Sequence, residues 1–387
     1  MRLVTVTHFY PAHGGGLELV AERLVTEFAA RGVSIDWFSS ATDPAPSLDP
    51  ASVHCIPVAT WNIIEKLTQL PYPLWSPAVL PRLWRAIGKA DAVHVHEHLY
   101  ASSILAVLIA RLRGRPVIIT QHMGALGLPT RALTLLYETG AKVLGRLMFP
   151  LASRSVFISA NVRRFFGRQN DPHAQLIFNG IDTERFTPGP PDRAAVREAL
   201  GVPTDAKAAL FVGRWVRKKG LHIIEQMAQQ APHVFWMIVG SGPEDPAAWK
   251  LPNVRVYGRV GHDLLPDYYR AADILVLPSS GEGFPLVVQE ALCCGTGVLS
   301  TQEVASACPP ASSMIRSRPT PRDGFDSEIW ARALEEALAN GVYLSARTTR
   351  TAAARALWSW DDNAERLLHL FQEALTGDAQ ESPGRRG

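Results

Sequence analysis

Apolar and polar positions alternate along this chain with two periods, one of two residues and one close to 3.6. Residues 2–8, RLVTVTH, form a short β-rich run. A Pro/Gly-rich turn from Pro11 to Gly16 separates it from LELVAERLVTEFAARG, a helical pattern that ends at Gly32. VSIDWFSS reads as a second strand. Further along, DAVHVHEH predicts a strand, SSILAVLIARLRG a helix, PVIITQH a strand and, after another helix, SRSVFISA a strand. Strands alternating with helices of about 10–15 residues predict βαβ units around a parallel sheet.

The alternation weakens over residues 182–207, which hold four prolines, and this stretch reads as an interdomain linker. A second series then begins with AALFVGR. It continues through a helix from Leu221, the strands VFWMIVG and VRVYGRV, a helix near Leu264–Ala272, the strand DILVLPS and the helix PLVVQEALCCG. The expected fold class is therefore α/β, with two Rossmann-like doubly wound domains facing across a cleft. Residues 1–181 form the N-terminal, acceptor-side domain and 208–357 the C-terminal one. Ligands of such sheets bind beyond the carboxyl ends of the strands. Residues 358–376 predict one more amphipathic helix, and the polar tail 377–387 is expected to be disordered.

Composition narrows the class. With 47% hydrophobic and 19% charged residues over 387 positions, the chain reads as a soluble globular protein long enough for two cores. No apolar run approaches the ~20 residues of a membrane span, and the N-terminus turns polar too soon for a secretory signal. The four cysteines show no C-x-x-C spacing, which suits reduced thiols in a cytoplasm. The net charge of +3 is uneven, because residues 1–181 carry 17 Lys and Arg against 11 Asp and Glu. A basic N-terminal half suits an acidic acceptor, an anionic lipid surface or no particular partner. No nucleic-acid-binding module is present, so DNA and RNA are not expected partners.

The densest candidate chemistry runs from Glu282 to Gly295, EGFPLVVQEALCCG, directly after the strand DILVLPS. Pro285 suits the first turn of a helix and Gly295 its C-terminal cap. Backbone N–H groups from Phe284 to Val287 would then offer a phosphate site. Glu282 and Glu290 suit sugar and ribose hydroxyls, which carboxylates accept from readily. An ordinary strand–turn–helix is the alternative for either carboxylate alone. A second element, Gly213 to Gly220 (GRWVRKKG), places Arg214 and Lys219 at a strand end, cations of the kind a leaving diphosphate needs. A solvated basic turn fits those residues as well.

Together with Asn179-Gly-Ile-Asp182 and Asp273-Ile-Leu-Val-Leu-Pro-Ser, these motifs resemble retaining GT-B glycosyltransferases of family 4, in order, through nearly the whole chain. The resemblance implies a nucleotide-diphosphate-sugar donor, with a UDP-sugar as first guess, and no metal cofactor. It implies diphosphate contacts from Arg214 and Lys219. Glu282 and the amides of Gly283 and Phe284 would hold the sugar, Pro285, Leu286 and Val287 would open the phosphate-binding helix, and Glu290 would take the ribose. Lys218 stands where relatives often carry Glu. In similar enzymes the terminal helix crosses back onto the N-terminal domain. Base recognition is expected near Gly258–Leu265, through backbone groups that carry no sequence code.

In the N-terminal half, Gly14-Gly15-Gly16 lies between the first strand and helix and lets a ligand approach the backbone. The resemblance sets Gly15 and Gly16 against donor phosphates and acceptor, and a simple flexible turn is the competing reading. It also makes His122, at the end of VIIT, a residue that positions the transferred sugar. His94, His96 and His98 alternate and could share one strand face, with Glu97 on the other; a zinc site there is disfavoured because no second ligand cluster exists. Residues 80–89, LPRLWRAIGK, and 161–168, NVRRFFGR, interleave cations with aromatics. Peripheral contact with the inner membrane face stays open for them, although a solvated helix with a buried ring is the favoured reading.

The expected reaction is sugar transfer to an acceptor hydroxyl with retained configuration. The acceptor, whether glycan, lipid-linked sugar or small molecule, is not legible. A nucleotide-sugar epimerase on the same fold and a catalytically silent nucleotide-sugar-binding protein are the alternatives.

Overall fold

The structure is a computed structural model and describes residues 1–63, 72–125, 130–189, 192–319, 327–339 and 347–380. The chain divides into two compact units. The first comprises Met1–Gly180 with Trp360–Gly387, and the second Ile181–Ser359.

In the first unit, strands β1 (Arg2–Val6), β2 (Ser34–Ser40), β3 (Val53–Val58), β6 (Ala92–His96), β7 (Val117–Gln121), β8 (Arg154–Phe157) and β9 (Ala174–Leu176) form one parallel sheet in the order β3-β2-β1-β6-β7-β8-β9. A small antiparallel pair, β4 (Thr60–Trp61) and β5 (Leu74–Trp75), lies outside it. The chain starts at the centre, builds outward to β3, then crosses back to β6. That reversal between β1 and β6 is the switch point where ligands of doubly wound sheets bind. The inner strands β6 and β7 are buried along their whole length, which suits their Val- and Ile-rich sequences. In the second unit β10 (Lys207–Arg214), β11 (Val234–Ser241), β12 (Val254–Gly258), β13 (Ile274–Leu277), β14 (Gly297–Thr301) and β15 (Ile315–Arg318) repeat the plan as β12-β11-β10-β13-β14-β15.

Three expectations change. Residues 182–207 are not a bare linker. They contain the helix Arg193–Leu200 and belong to the second unit. Asp273 holds this helix, accepting from Arg193 Nη2 at 2.8 Å, Arg197 Nη2 at 3.0 Å and the Ala208 N–H at 2.8 Å. Prolines and charges that read as a connector are thus fastened to the sheet by a buried carboxylate. Second, the single helix expected over 358–376 is broken at Ser359. Trp358 ends the helix Arg347–Trp358, Ser359 pairs with Ile181, and a new helix runs over Trp360–Gln380. The break falls where the chain leaves one unit for the other. In the first unit Phe371 of that helix meets Phe28 and His94 edge-on, with ring centroids 6.2 and 5.5 Å apart. Gly180 is obligatory beside it, since a Cβ there would stand 2.4 Å from the Trp360 ring. Third, the tail expected to be disordered from 377 continues this helix to Gln380, and 381–387 lie outside the described residues. The stretch 161–168 agrees with the favoured reading of a solvated helix with a buried ring, since Arg164 is exposed. Phe166 packs edge-on against Phe149 at 5.2 Å, and Arg168 pairs with Asp171 at 2.6 Å.

Candidate functional site

In the second unit the singled-out residues gather at the carboxyl ends of β10 and β13. β10 ends at the exposed Arg214, and a turn over Arg217–Lys219 leads to the helix Leu221–Gln230. Gly220 takes φ 79°, and a Cβ there would lie 2.5 Å from the Pro278 carbonyl oxygen, so only glycine lets this turn lie against the end of β13. The Ser280 N–H donates to the Lys218 carbonyl at 3.2 Å and joins the two turns. Lys219 Nζ therefore meets Glu282 Oε1 at 2.7 Å, with both side chains mostly buried. Lys218 beside them is partly buried, and its ammonium pKa is pushed down by that burial.

Glu303 is a residue that sequence reading missed. Its carboxylate accepts the N–H of Gly281 through Oε2 and that of Glu282 through Oε1, each at 3.1 Å. It projects from the helix Gln302–Ala307, which Thr301 caps, and burial pushes its carboxyl up. The turn carrying Glu282 is thus held from behind by a second carboxylate.

The helix that follows spans Leu286–Cys293. Pro285 is its N-cap, at φ −66° and ψ 128°, and not a first-turn residue as expected. Its extended ψ lets the chain rise from Phe284, which is buried with its ring centroid 5.6 Å from that of Trp358. No side chain caps this start, so the N–H groups of Leu286 and Val287 have no intrahelical acceptor. Gly283, Leu286 and Val287 are partly exposed, and Gly295 closes the helix at φ 75°.

Glu290 lies one turn inside and is buried. Its Oε2 accepts from the Tyr269 hydroxyl at 2.6 Å, and its Oε1 is 3.2 Å from His262 Nε2. Burial pushes the Tyr269 phenol far above its ordinary range, so it remains a donor. Phe186 stands behind both rings, 5.0 Å from His262 and 6.1 Å from Tyr269. His262 lies within the expected base segment Gly258–Leu265. Tyr269 and Phe186 carried no sequence signal beyond their apolar character.

In the first unit, Gly15 is the N-cap of the helix Gly16–Ala30. A Cβ on Gly15 would fall 2.0 Å from Glu18 Oε2, so this helix start carries an internal carboxylate where a phosphate is expected; around Gly16 the space is open. Glu18 Oε1 is 3.1 Å from His8 Nε2, and the His8 ring stacks on Tyr100 at 3.8 Å. Burial raises the Glu18 carboxyl, but the hydrogen bond and charge of His8 outweigh it and its pKa falls.

The three histidines do not share a face. β6 ends at His96, and Glu97 takes φ 68°, a left-handed turn that sends the next side chain to the other side. His94 lies by Phe28 and Phe371, whereas His98 lies by Phe149 and Phe166 on the opposite core. The shared-face arrangement behind the zinc idea is therefore lost. Glu97 turns toward β7. Its Oε1 accepts the N–H of His122 at 2.7 Å and of Met123 at 2.6 Å, and its Oε2 accepts from Gln121 Nε2 at 2.7 Å. Burial lifts its carboxyl to about 8 against the pull of those donors. The His122 ring is tied inward, with Nε2 3.0 Å from His96 Nδ1, and burial lowers its pKa to about 3, so it is neutral at physiological pH.

Comparison with known proteins gives two family matches. The family described as Glycosyltransferase Family 4 matches residues 14–185, and Glycosyl transferases group 1 matches residues 192–313. The chain is 30% identical to D-inositol 3-phosphate glycosyltransferase 1 of Catenulispora acidiphila, over 94% of this chain and 92% of that protein. It is 28% identical to the D-inositol 3-phosphate glycosyltransferase of Xylanimonas cellulosilytica, over 93% of this chain and 92% of that one. Among solved structures, sucrose-phosphate synthase from Thermosynechococcus elongatus matches with a TM-score of 0.75 at 19% identity, covering 97% of this chain and 100% of that chain. Anabaena HepE, solved in complex with UDP and glucose, matches with a TM-score of 0.69 at 17% identity, covering 96% and 99%. These two structural likenesses are of fold, the two-domain GT-B architecture.

Proposed function

Because the chain belongs to glycosyltransferase family 4 and is a glycosyltransferase, we propose that it moves a hexosyl group from a nucleotide-diphosphate-sugar to an acceptor hydroxyl with retained anomeric configuration. One observation carries this reading: the 2.7 Å Lys219–Glu282 pair stands beside an uncapped helix start at Leu286. A cation and free amides suit a diphosphate, and a partly buried carboxylate next to them suits sugar hydroxyls. Arg214 and Lys219 stabilise charge as the diphosphate leaves, and the N–H groups of Leu286 and Val287 share that task at the positive end of the helix. Glu282 and the amides of Gly283 and Phe284 grip the sugar. Glu290, its carboxylate already oriented by Tyr269 and His262, takes the ribose hydroxyls.

The diphosphate is a good leaving group and can itself take the proton of the incoming hydroxyl on the same face, which gives retention without the pair of carboxyls about 5 Å apart used by retaining glycosidases. Two cationic side chains and the helix amides supply the neutralising charge, so the proposal includes no metal ion. His122 is neutral and positions the sugar. Gly15 approaches a phosphate only if the Glu18 carboxylate gives way, whereas the space around Gly16 is open. The UDP bound to Anabaena HepE supports UDP as the first nucleotide to try, and D-inositol 3-phosphate, named for the relatives, is the first acceptor.

A thermal-shift panel of UDP, GDP and ADP identifies the nucleotide, since a ligand at 100 times its Kd adds about 2.7 kcal/mol. Glu282→Ala is expected to abolish transfer while nucleotide binding persists, and NMR of the product reads the anomeric configuration. Wild-type turnover in Glu282→Ala, or inversion of a hydroxyl on the free nucleotide-sugar without acceptor, would overturn the proposal.

A further inference from the structure

Three helices of the first unit, Leu80–Lys89, Ala101–Leu112 and Arg131–Met148, lead into β6, join β6 to β7, and join β7 to β8. Successive right-handed crossovers in one direction along a parallel sheet put their helices on one face. The inward side chains agree, since Leu83 and Ile87, Ala106 and Val107, and Met148 belong to a single core cluster. The outer sides of the three helices therefore make one surface.

That surface is apolar where water would select polar residues. Leu80 and Trp84 are exposed on the first helix, and Leu108 and Leu112 on the second. The third adds Leu136, Val143 and Leu147, spaced by seven and four residues and so on one stripe. Among the described residues, these helices hold nine of the fifteen exposed large hydrophobic side chains of the chain. Such concentration marks an interaction surface and not the ordinary scatter of exposed leucines.

Its charge is one-sided. Arg82, Arg85, Lys89, Arg111 and Arg146 are exposed, and Arg113 lies over the Trp84 ring at 5.2 Å. Glu138 is the one acidic residue of the three helices. A two-fold contact between copies would set these cations against each other. An apolar centre with cations around it matches an anionic bilayer, whose acyl boundary takes leucine and tryptophan while its phosphates take arginine. We propose that this three-helix face docks the protein on an anionic membrane surface. Among the described residues no helix is long and apolar enough to cross a membrane, so the contact is peripheral.

The test is sedimentation of the full chain with phosphatidylcholine vesicles prepared with and without phosphatidylglycerol. Binding is expected only with phosphatidylglycerol. Removing one cation near such a surface weakens partitioning about fivefold, so Arg82→Gln/Arg85→Gln/Arg111→Gln should lose about a hundredfold. Leu112→Ser/Leu136→Ser/Leu147→Ser should also release the protein. All six positions are exposed, so both variants should keep the wild-type unfolding transition, and a single Leu112→Ser serves if the triple does not. Equal binding to both vesicle types, or binding that the leucine substitutions leave unchanged, overturns the proposal. So does absence of binding together with self-association that the leucine substitutions abolish, which would assign the face to a second copy.

Discussion

Asp273→Asn removes the one negative charge that holds residues 193–208 to the second sheet. Asp273 Oδ2 receives Arg197 Nη2 at 3.0 Å and the Ala208 N–H at 2.8 Å, and Oδ1 receives Arg193 Nη2 at 2.8 Å. The Arg197 side chain is 5% exposed, Asp273 9% and Arg193 24%. Breaking a buried ion pair from one side costs about 3–5 kcal/mol, because the partner charge stays buried. Two facts point to the lower end. Arg193 reaches water, and Arg197 keeps donors to the carbonyls of Ala271 at 2.9 Å, Thr204 at 2.8 Å and Ala206 at 2.9 Å. A loss of about 3 kcal/mol, at about 2–4 °C per kcal/mol for a unit of this size, lowers the melting temperature of the second unit by about 6–12 °C. Differential scanning calorimetry reads this directly. Two transitions are fitted, since two units need not unfold together. Arg197→Leu/Asp273→Leu should recover part of the loss, because the buried Arg197 charge goes with its partner and only the more exposed Arg193 loses a carboxylate. A shift smaller than about 2 °C in Asp273→Asn would refute the claim that this carboxylate fastens the segment.

Other outcomes follow from the buried groups. Tyr269→Phe strips the 2.6 Å donor from Glu290 and leaves a buried carboxylate oxygen unpaired, at a cost of about 1–3 kcal/mol. Nucleotide affinity, read by titration calorimetry, should fall about tenfold or more, and unchanged affinity would remove Glu290 from the donor site. Glu97→Gln sets an amide against Gln121 Nε2 and loosens the turn carrying His122, so turnover should fall about tenfold or more; wild-type kinetics would reduce Glu97 to a packing role. His94 and His122 are lowered from 6.5 to about 3 by burial, so they stay neutral in the fold while the unfolded chain takes up protons. Their stabilisation is present above about pH 6.5 and is lost as pH falls toward 3. Glu97, raised from 4.5 to about 8, works in the opposite sense, its contribution being complete below pH 4.5 and lost as pH rises through 8. Urea midpoints between pH 4 and 9 should show both limbs, and a flat acid limb would contradict the buried, neutral histidines.

The sequence alone determined the alternation of strands and helices, because hydrophobic period is a local property that each element carries with it. It therefore also placed the turn at Gly220, the helix between Pro285 and Gly295, Arg214 at a strand end, Lys219 and Glu282 in the turns that follow strands, and Glu290 inside the helix. Partnership was not local. Glu18, Glu97, Glu303 and Asp273 each look like a surface charge in sequence, yet each is mostly buried and meets donors that only the fold brings to it, 65 residues away for the Ala208 N–H on Asp273. The left-handed Glu97 is the sharpest case, since nothing in His-Val-His-Glu-His foretells a positive φ at a glutamate. That single dihedral separates His98 from His94 and His96 and aims a carboxylate at the turn of His122. Residues 182–207 make the same point at larger scale. Their prolines and charges are those of a connector, and only the position of Asp273 on the neighbouring strand end makes them part of a domain. Where a side chain's energy comes from its own segment, sequence decides. Where it comes from a distant donor in a dry interior, the tertiary structure does.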